Sequence, residues 1–303
     1  MEINKVALVG LGAIGCIYAK GLINGCNDFA VVAGGARGER IKTNGVKVNE
    51  TLVLPKVVNP KIEDWKADLI IFTVKNYQLA EAIEDVRNLI NNETILLPLL
   101  NGVTATDELK AAYPNNIVLY GIALGIDAVR TDDGITNSSD GVIQFGSAKN
   151  VTISPEVSAV KDVFDKSGIE SEICDDMLRT IWRKWMINVS TNQLSAIIGC
   201  GYGGFLNVSQ INEAMHQVML EVVSLAQKKG INLTKEDAFE YDKLLPSFNP
   251  DGKTSMAQDV EAKRKTEVDY FSGIAIKYGK ELGVETPWNN IMNLIIKGIE
   301  ATY

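Results

Sequence analysis

Histidine occurs once in these 303 residues, at His216. That scarcity removes a paired-histidine catalytic centre and a histidine-rich metal site. His216 lies in a helical stretch of alternating apolar and polar positions and is expected at a surface or in packing. Cysteine is nearly as scarce. Cys16, Cys26, Cys174 and Cys200 show neither C-x-x-C spacing nor a Cys/His cluster, so a zinc site and a disulfide framework are both disfavoured. Buried thiols in a reducing, cytoplasmic compartment are expected instead, with no metal. Long apolar runs are missing as well, which excludes a helical membrane span of ~18 uncharged residues. The chain enters a strand almost at once, so no signal peptide is expected. Positive charge is in deficit, with a net charge of −8. That argues against nucleic-acid binding and leaves any anionic ligand to local cations and backbone N–H groups. What remains, 46% apolar and 22% charged residues, is a globular chain long enough for two domains.

The strongest feature present is an apolar run that breaks into three spaced glycines, Lys5-Val-Ala-Leu-Val-Gly10-Leu-Gly12-Ala-Ile-Gly15. The run reads as a strand covered on both faces. Gly10 would make the tight turn, Gly12 would let backbone approach a diphosphate, and Gly15 would seat the next helix against the strand. Gly10, Leu11, Gly12, Ala13, Ile14 and Gly15 are therefore the expected cofactor loop, with a helix N-terminus aimed at the anion. The plainer alternative is a glycine-rich turn without a ligand.

Strand signals follow at Phe29–Ala33, Leu69–Val74, Thr94–Leu97, Ile117–Tyr120 and Val142–Phe145. They alternate with helical patterns at Gly15–Gly25, Tyr77–Leu89, Thr104–Ala112 and Pro155–Lys166. This is the pattern of a doubly wound α/β sheet of Rossmann type. The Asp-, Thr-, Ser- and Gly-rich segment Ile122–Gly146 suits a meander of short strands. After Cys174 only helical stretches are expected: Asp175–Ile198, Val208–Lys229, Lys235–Leu245, Ser255–Lys263, Glu267–Leu282 and Trp288–Thr302. The expected organisation is a dinucleotide-binding domain, 1–174, and an all-helical substrate and dimerisation domain, 175–303, with ligand bound in a cleft between them. The last helix could pack on its own domain or on a second subunit in a homodimer.

The second strand carries no acid at its tip to hold a ribose 2′-hydroxyl. Arg37 and Arg40 follow instead, and a guanidinium there suits a 2′-phosphate. NADPH is accordingly expected over NADH, the alternative being two solvated arginines. On a helical wheel Lys184, Asn188, Thr191, Asn192 and Ser195 share one face. A solvent face is normally rich in Lys and Glu. This one has a single charge among amides and hydroxyls, as a polar wall lining a cleft would. Lys75 and Asn101 each follow a strand end, where ligands of such sheets bind. An exposed lysine and plain turn chemistry are their ordinary alternatives.

The glycine loop, Ala36-Arg37-Gly38-Glu39-Arg40, Thr73-Val-Lys75-Asn76-Tyr77-Gln78, Leu100-Asn101-Gly102-Val103, Ile181-Trp-Arg-Lys184-Trp-Met-Ile-Asn188 and Lys265-Thr-Glu267-Val-Asp269-Tyr270 together resemble the ketopantoate reductase (2-dehydropantoate 2-reductase) family. The motifs keep the family's order and span nearly the whole chain. The resemblance implies NADPH-dependent reduction of a 2-oxo acid to pantoate, a step in pantothenate and coenzyme A synthesis. It implies that Lys184 is the proton donor, that Glu267 acts in the active site, and that Asn188, Asn192 and Ser255 contact substrate. It also implies that Lys75 and Asn101 lie in the active cleft. Ketone reduction needs a hydride on carbon and a proton on oxygen, and a partly desolvated lysine is a suitable acid. Ser255 with Gln258 also reads as a capping box, so two roles compete for its hydroxyl. The segment Pro250–Thr254 and Asn137 depart from the family's pattern. A sister reductase for another 2-oxo acid and a non-catalytic NADPH-binding sensor are the alternatives.

Overall fold

The computed structural model describes residues 2–62, 64–131 and 134–303, which divide into two compact units, Met1–Leu178 and Arg179–Tyr303. In the first unit β1 (Lys5–Val9), α1 (Ala13–Gly25), β2 (Asp28–Val32) and α2 (Gly35–Asn44) are followed by three short strands. These are β3 (Val46–Val48), β4 (Thr51–Val53) and β5 (Lys56–Val58). Then come β6 (Leu69–Phe72), α3 (Leu79–Asp85), β7 (Ile95–Pro98), α4 (Ala105–Ala112), β8 (Ile117–Val118), β9 (Tyr120–Thr131), β10 (Gly134–Gly146), α5 (Pro155–Lys166) and β11 (Ser171–Ile173).

Six strands form a wholly parallel sheet in the order β5-β2-β1-β6-β7-β8. Its central strands are apolar because both faces are covered. Along β1, Val6 and Leu8 enter one core with α1 and α5, while Ala7 and Val9 enter the opposite core with α3 and α4. The strand order reverses between β1 and β6, which places a crevice beyond their carboxyl ends. A second sheet runs β11-β10-β3-β4, with β9 antiparallel to β10.

The second unit contains most of α6 (Met177–Ile198) and then α7 (Tyr202–Asn207), α8 (Ser209–Lys228), α9 (Lys235–Glu240), α10 (Ser255–Glu261), α11 (Ser272–Leu282) and α12 (Pro287–Glu300). Among its described residues there is no strand. Arg179 on α6 donates to the buried Asp237 of α9 at 2.6 Å, with Arg183 3.8 Å from the same oxygen. Burial opposes the Asp237 charge, but the Thr234 amide and the two guanidinium groups outweigh it and hold the carboxyl below its ordinary value.

A Rossmann-type sheet followed by helices is thus the architecture. Several details differ from expectation, among them the short strands β3, β4, β5 and β11, which are not among the expected strands. Ile122–Gly146 is not a meander of short strands: it belongs to one long bulged hairpin, β9–β10. Paired along most of their described length, the two strands override local turn propensity. Tyr77–Leu89 is a short α-helix between two 3-10 turns. Glu267 does not begin a long helix: it precedes a 3-10 turn, Val268–Tyr270, and α11 starts at Ser272. Of the four thiols only Cys16 is fully buried.

Candidate functional site

The glycine loop joins β1 to α1, and its three glycines stand in three different surroundings. Gly10 has φ +103°, a conformation open to glycine, and a Cβ there would meet Thr73 and Val74 backbone at 2.9 Å. A Cβ on Gly15 would lie 2.0 Å from the Gly10 carbonyl oxygen. Gly12 is different, because a Cβ there would meet nothing within 4 Å. Packing within the protein leaves Gly12 unexplained, whereas a bulky anion approaching the loop would require it. Gly12 also precedes α1, whose first turn holds no acid, so the helix-start amides suit a diphosphate. Leu11 turns its side chain into the core, and Ala13 and Ile14 are half-buried.

Thr73 is buried just past β6. Its hydroxyl donates to the Gly10 carbonyl at 2.8 Å. Two residues on, Lys75 is half-buried, and Asn76 is buried with its amide donating to the Asn101 carbonyl at 2.9 Å. The strand-end turns after β1, β6 and β7 are thereby linked, which brings Lys75 and Asn101 to the same edge of the sheet as the glycine loop. At the end of β2, Arg37 occupies the first turn of α2, exposed and without an acid beside it in that turn. A cation there opposes the helix dipole, and an anion bound between them would relieve that opposition.

In the second unit the polar face of α6 is formed as the wheel required. Thr191, Asn192 and Ser195 are buried, Lys184 and Asn188 half-buried. Lys184 keeps part of its surface, yet the density of protein around its ammonium lowers its pKa to about 8. The Glu267 carboxylate acts in the opposite direction, and Glu267 is itself buried. An amine of this kind is still mostly protonated at neutral pH and gives up its proton readily. The Asn192 amide donates to the Ser255 hydroxyl at 3.3 Å, so two of the residues read as substrate contacts stand together.

Ser255 does not cap α10. The cap is Thr254, whose hydroxyl accepts from the Ala257 amide at 3.3 Å and meets the Ser195 hydroxyl at 2.5 Å. Thr254 is buried while Ser255 is exposed. The bond to α6 chooses between two adjacent hydroxyl residues that local sequence does not separate. The departing segment Pro250–Thr254 is fastened to the first turn of α7, where Gly203 and Tyr202 amides donate to the Pro250 and Gly252 carbonyls at 2.8 and 3.1 Å. His216 packs against Phe239 with its Nε2 3.1 Å from Asp242. Sequence reasoning named neither Thr73 nor Thr254 for these contacts. Thr73 stood in a quoted motif, and Thr254 was visible only as a hydroxyl one position before Ser255.

The family model described as "Ketopantoate reductase PanE/ApbA" matches residues 6–150, and "Ketopantoate reductase PanE/ApbA C terminal" matches residues 176–300. The chain is 26% identical over 304 residues to a 2-dehydropantoate 2-reductase of Streptococcus pyogenes serotype M6, spanning 98% of each chain. Among solved structures, a PanE/ApbA family ketopantoate reductase from Ralstonia eutropha superimposes with TM-score 0.86 at 22% identity, over 98% of this chain and 99% of that one. D-mandelate dehydrogenase with NADH and anilino(oxo)acetate superimposes with TM-score 0.87 at 24% identity, again over 98% and 99%. At those identities the two structures speak for the fold.

Proposed function

The chain belongs to the ketopantoate reductase family of oxidoreductases, and on that premise we propose that it reduces ketopantoate to pantoate with NADPH, serving pantothenate and coenzyme A synthesis. What supports this reading most is Lys184, a half-buried amine on the polar face of α6, whose pKa burial lowers to about 8 within the field of a buried carboxylate, Glu267. NADPH, when bound, supplies the hydride. Gly10 to Gly15 would hold its diphosphate through backbone amides, Arg37 would take the 2′-phosphate, and Lys75 and Asn101 would serve its nicotinamide half. The Lys184 ammonium donates a hydrogen bond to the keto oxygen and releases its proton as the alkoxide develops. Glu267 holds that ammonium and accepts from the substrate hydroxyl. Asn188, Asn192 and Ser255 orient the substrate, and Ser255 is available because Thr254 caps α10.

The sign of the pH dependence follows from the lowered lysine. Below about 8 the acid is present; above it the amine is neutral. Turnover should then fall about tenfold per pH unit on the alkaline side. The deciding assay follows NADPH oxidation with ketopantoate, with NADH as control and a panel of linear and branched 2-oxo acids beside it. Preference for another oxo acid would favour a sister reductase. That second reading is motivated by Pro250–Thr254, which departs from the family's pattern close to Ser255. Tight NADPH binding without hydride transfer to any oxo acid would mark a sensor instead. The exposed apolar residues Ile291, Leu294 and Ile295 on α12 suit a homodimer, and sedimentation giving twice the 33.0 kDa chain mass would support it.

A further inference from the structure

Glu267 sits in a segment with close ties to the last turns of α12. Glu300 Oε1 accepts from the Thr266 amide at 2.6 Å and from the Thr266 hydroxyl at 2.6 Å. That hydroxyl in turn accepts from the Val268 amide at 3.2 Å. Its one proton goes to the carboxylate and a lone pair takes the amide, and the charge of Glu300 strengthens the chain. Thr266 and Glu267 are 2% and 4% exposed, so solvent has little access to replace these bonds. Glu267 is therefore bracketed: the residue before it is held by Glu300, and the residue after it by Thr266. Three residues further, the Tyr270 carbonyl accepts from the indole of Trp185 at 3.1 Å, and Trp185 is the neighbour of Lys184 on α6. One helix thus carries the amine and fixes one end of the segment. Another helix fixes the other end.

We propose that Glu300 is a positioning residue for the reaction, acting through Thr266 to hold the Glu267 carboxylate where it acts on the Lys184 ammonium. This rests on the reading of Lys184 as proton donor. The other charges of the segment are accounted for locally. Arg264 pairs with Asp259 at 2.9 Å, Asp269 with Lys297 at 2.7 Å, and Lys265 is exposed. Glu267 is the carboxylate whose field raises the Lys184 pKa against burial, so a displaced Glu267 should let that pKa fall.

The test compares Glu300→Ala, Thr266→Val, Thr266→Ser and Lys297→Ala by kinetics and by lysine titration. Glu300→Ala and Thr266→Val should each lower kcat about three- to tenfold, with NADPH affinity unchanged, and move the alkaline limb to lower pH by about half a unit. Thr266→Ser keeps the hydroxyl and should restore both quantities. Lys297→Ala removes only a half-exposed pair from the same helix to Asp269 and should leave both as in the wild type. In protein labelled with 13C at lysine Cε, the Lys184 signal, identified by its loss in Lys184→Ala, should titrate near 8 in the wild type and lower in Glu300→Ala. Coincident titration curves would overturn the proposal. So would a fall in kcat accompanied by an equal loss of NADPH affinity and an unmoved limb. A wild type that leaves ketopantoate untouched, yet shows the shifted titration in Glu300→Ala, would overturn the reading of the reaction and keep the bracket.

Discussion

The candidate sites of the two units are built in opposite ways. In the first unit the centre of the candidate site is backbone, with three glycines, a helix start, and carbonyls held by Thr73 and Asn76, and the side chains of Arg37, Lys75 and Asn101 stand around it. In the second it is side chains: an amine, a carboxylate, an amide and a hydroxyl drawn from α6, the turn before α11, and α10. A backbone site demands particular residues for steric reasons and tolerates little change. A side-chain site depends on which distant residues meet, and its parts can be removed one at a time without collapse. The contrast predicts that substitutions in the second unit divide chemistry from binding, and that those in the first divide binding from stability.

The largest effect should come from Lys184→Ala. Loss of a general acid should lower kcat about 10³-fold, while NADPH affinity measured by fluorescence titration should change less than about threefold, because the cofactor loop is untouched. Wild-type turnover in this variant would remove Lys184 from the mechanism and end the comparison. Next in size is Gly12→Ala. A Cβ at Gly12 meets no protein atom, so the melting temperature should hold while NADPH affinity falls about thirtyfold, roughly 2 kcal/mol. A drop in melting temperature with unchanged affinity would show that glycine serves packing there.

Arg37→Ala should weaken NADPH about tenfold and leave NADH unaffected, since one phosphate contact is lost. Equal loss for both cofactors would remove Arg37 as the selectivity element. The smallest effect separates two neighbouring hydroxyls. Thr254→Val should cost about 1 kcal/mol of stability by loss of the cap. Ser255→Ala should cost almost none and raise the KM for the oxo acid instead. The reverse assignment would return the capping role to Ser255.

The same contrast explains what sequence could disclose. Gly10 and Gly15 were legible because few other residues survive a φ of +103° or a 2.0 Å approach to a carbonyl. β1, β6 and β7 were legible because strands buried on both faces must be apolar. The long hairpin was not. Gly125 and Gly141, both at φ +66°, resemble turn formers, yet each lies within a continuous strand. In the second unit the polar face of α6 could be drawn from spacing alone. Its meeting of Asn192 with Ser255, 63 positions later, could not. Nor could Glu300 be seen to hold Thr266, 34 positions earlier. Helical periodicity reports what one helix presents and is silent about what meets it.

The lowered lysine has a consequence outside turnover. At pH 7 an amine titrating near 8 is roughly one-tenth neutral, whereas an ordinary lysine is neutral roughly once in three thousand molecules. Only the neutral form is a nucleophile. Lys184 should therefore be more prone than an ordinary lysine to acylation or to imine formation with aldehydes. A limiting dose of an amine-selective electrophile at neutral pH should mark it before an ordinary exposed lysine, turning the proposed proton donor into an address for covalent inhibitors.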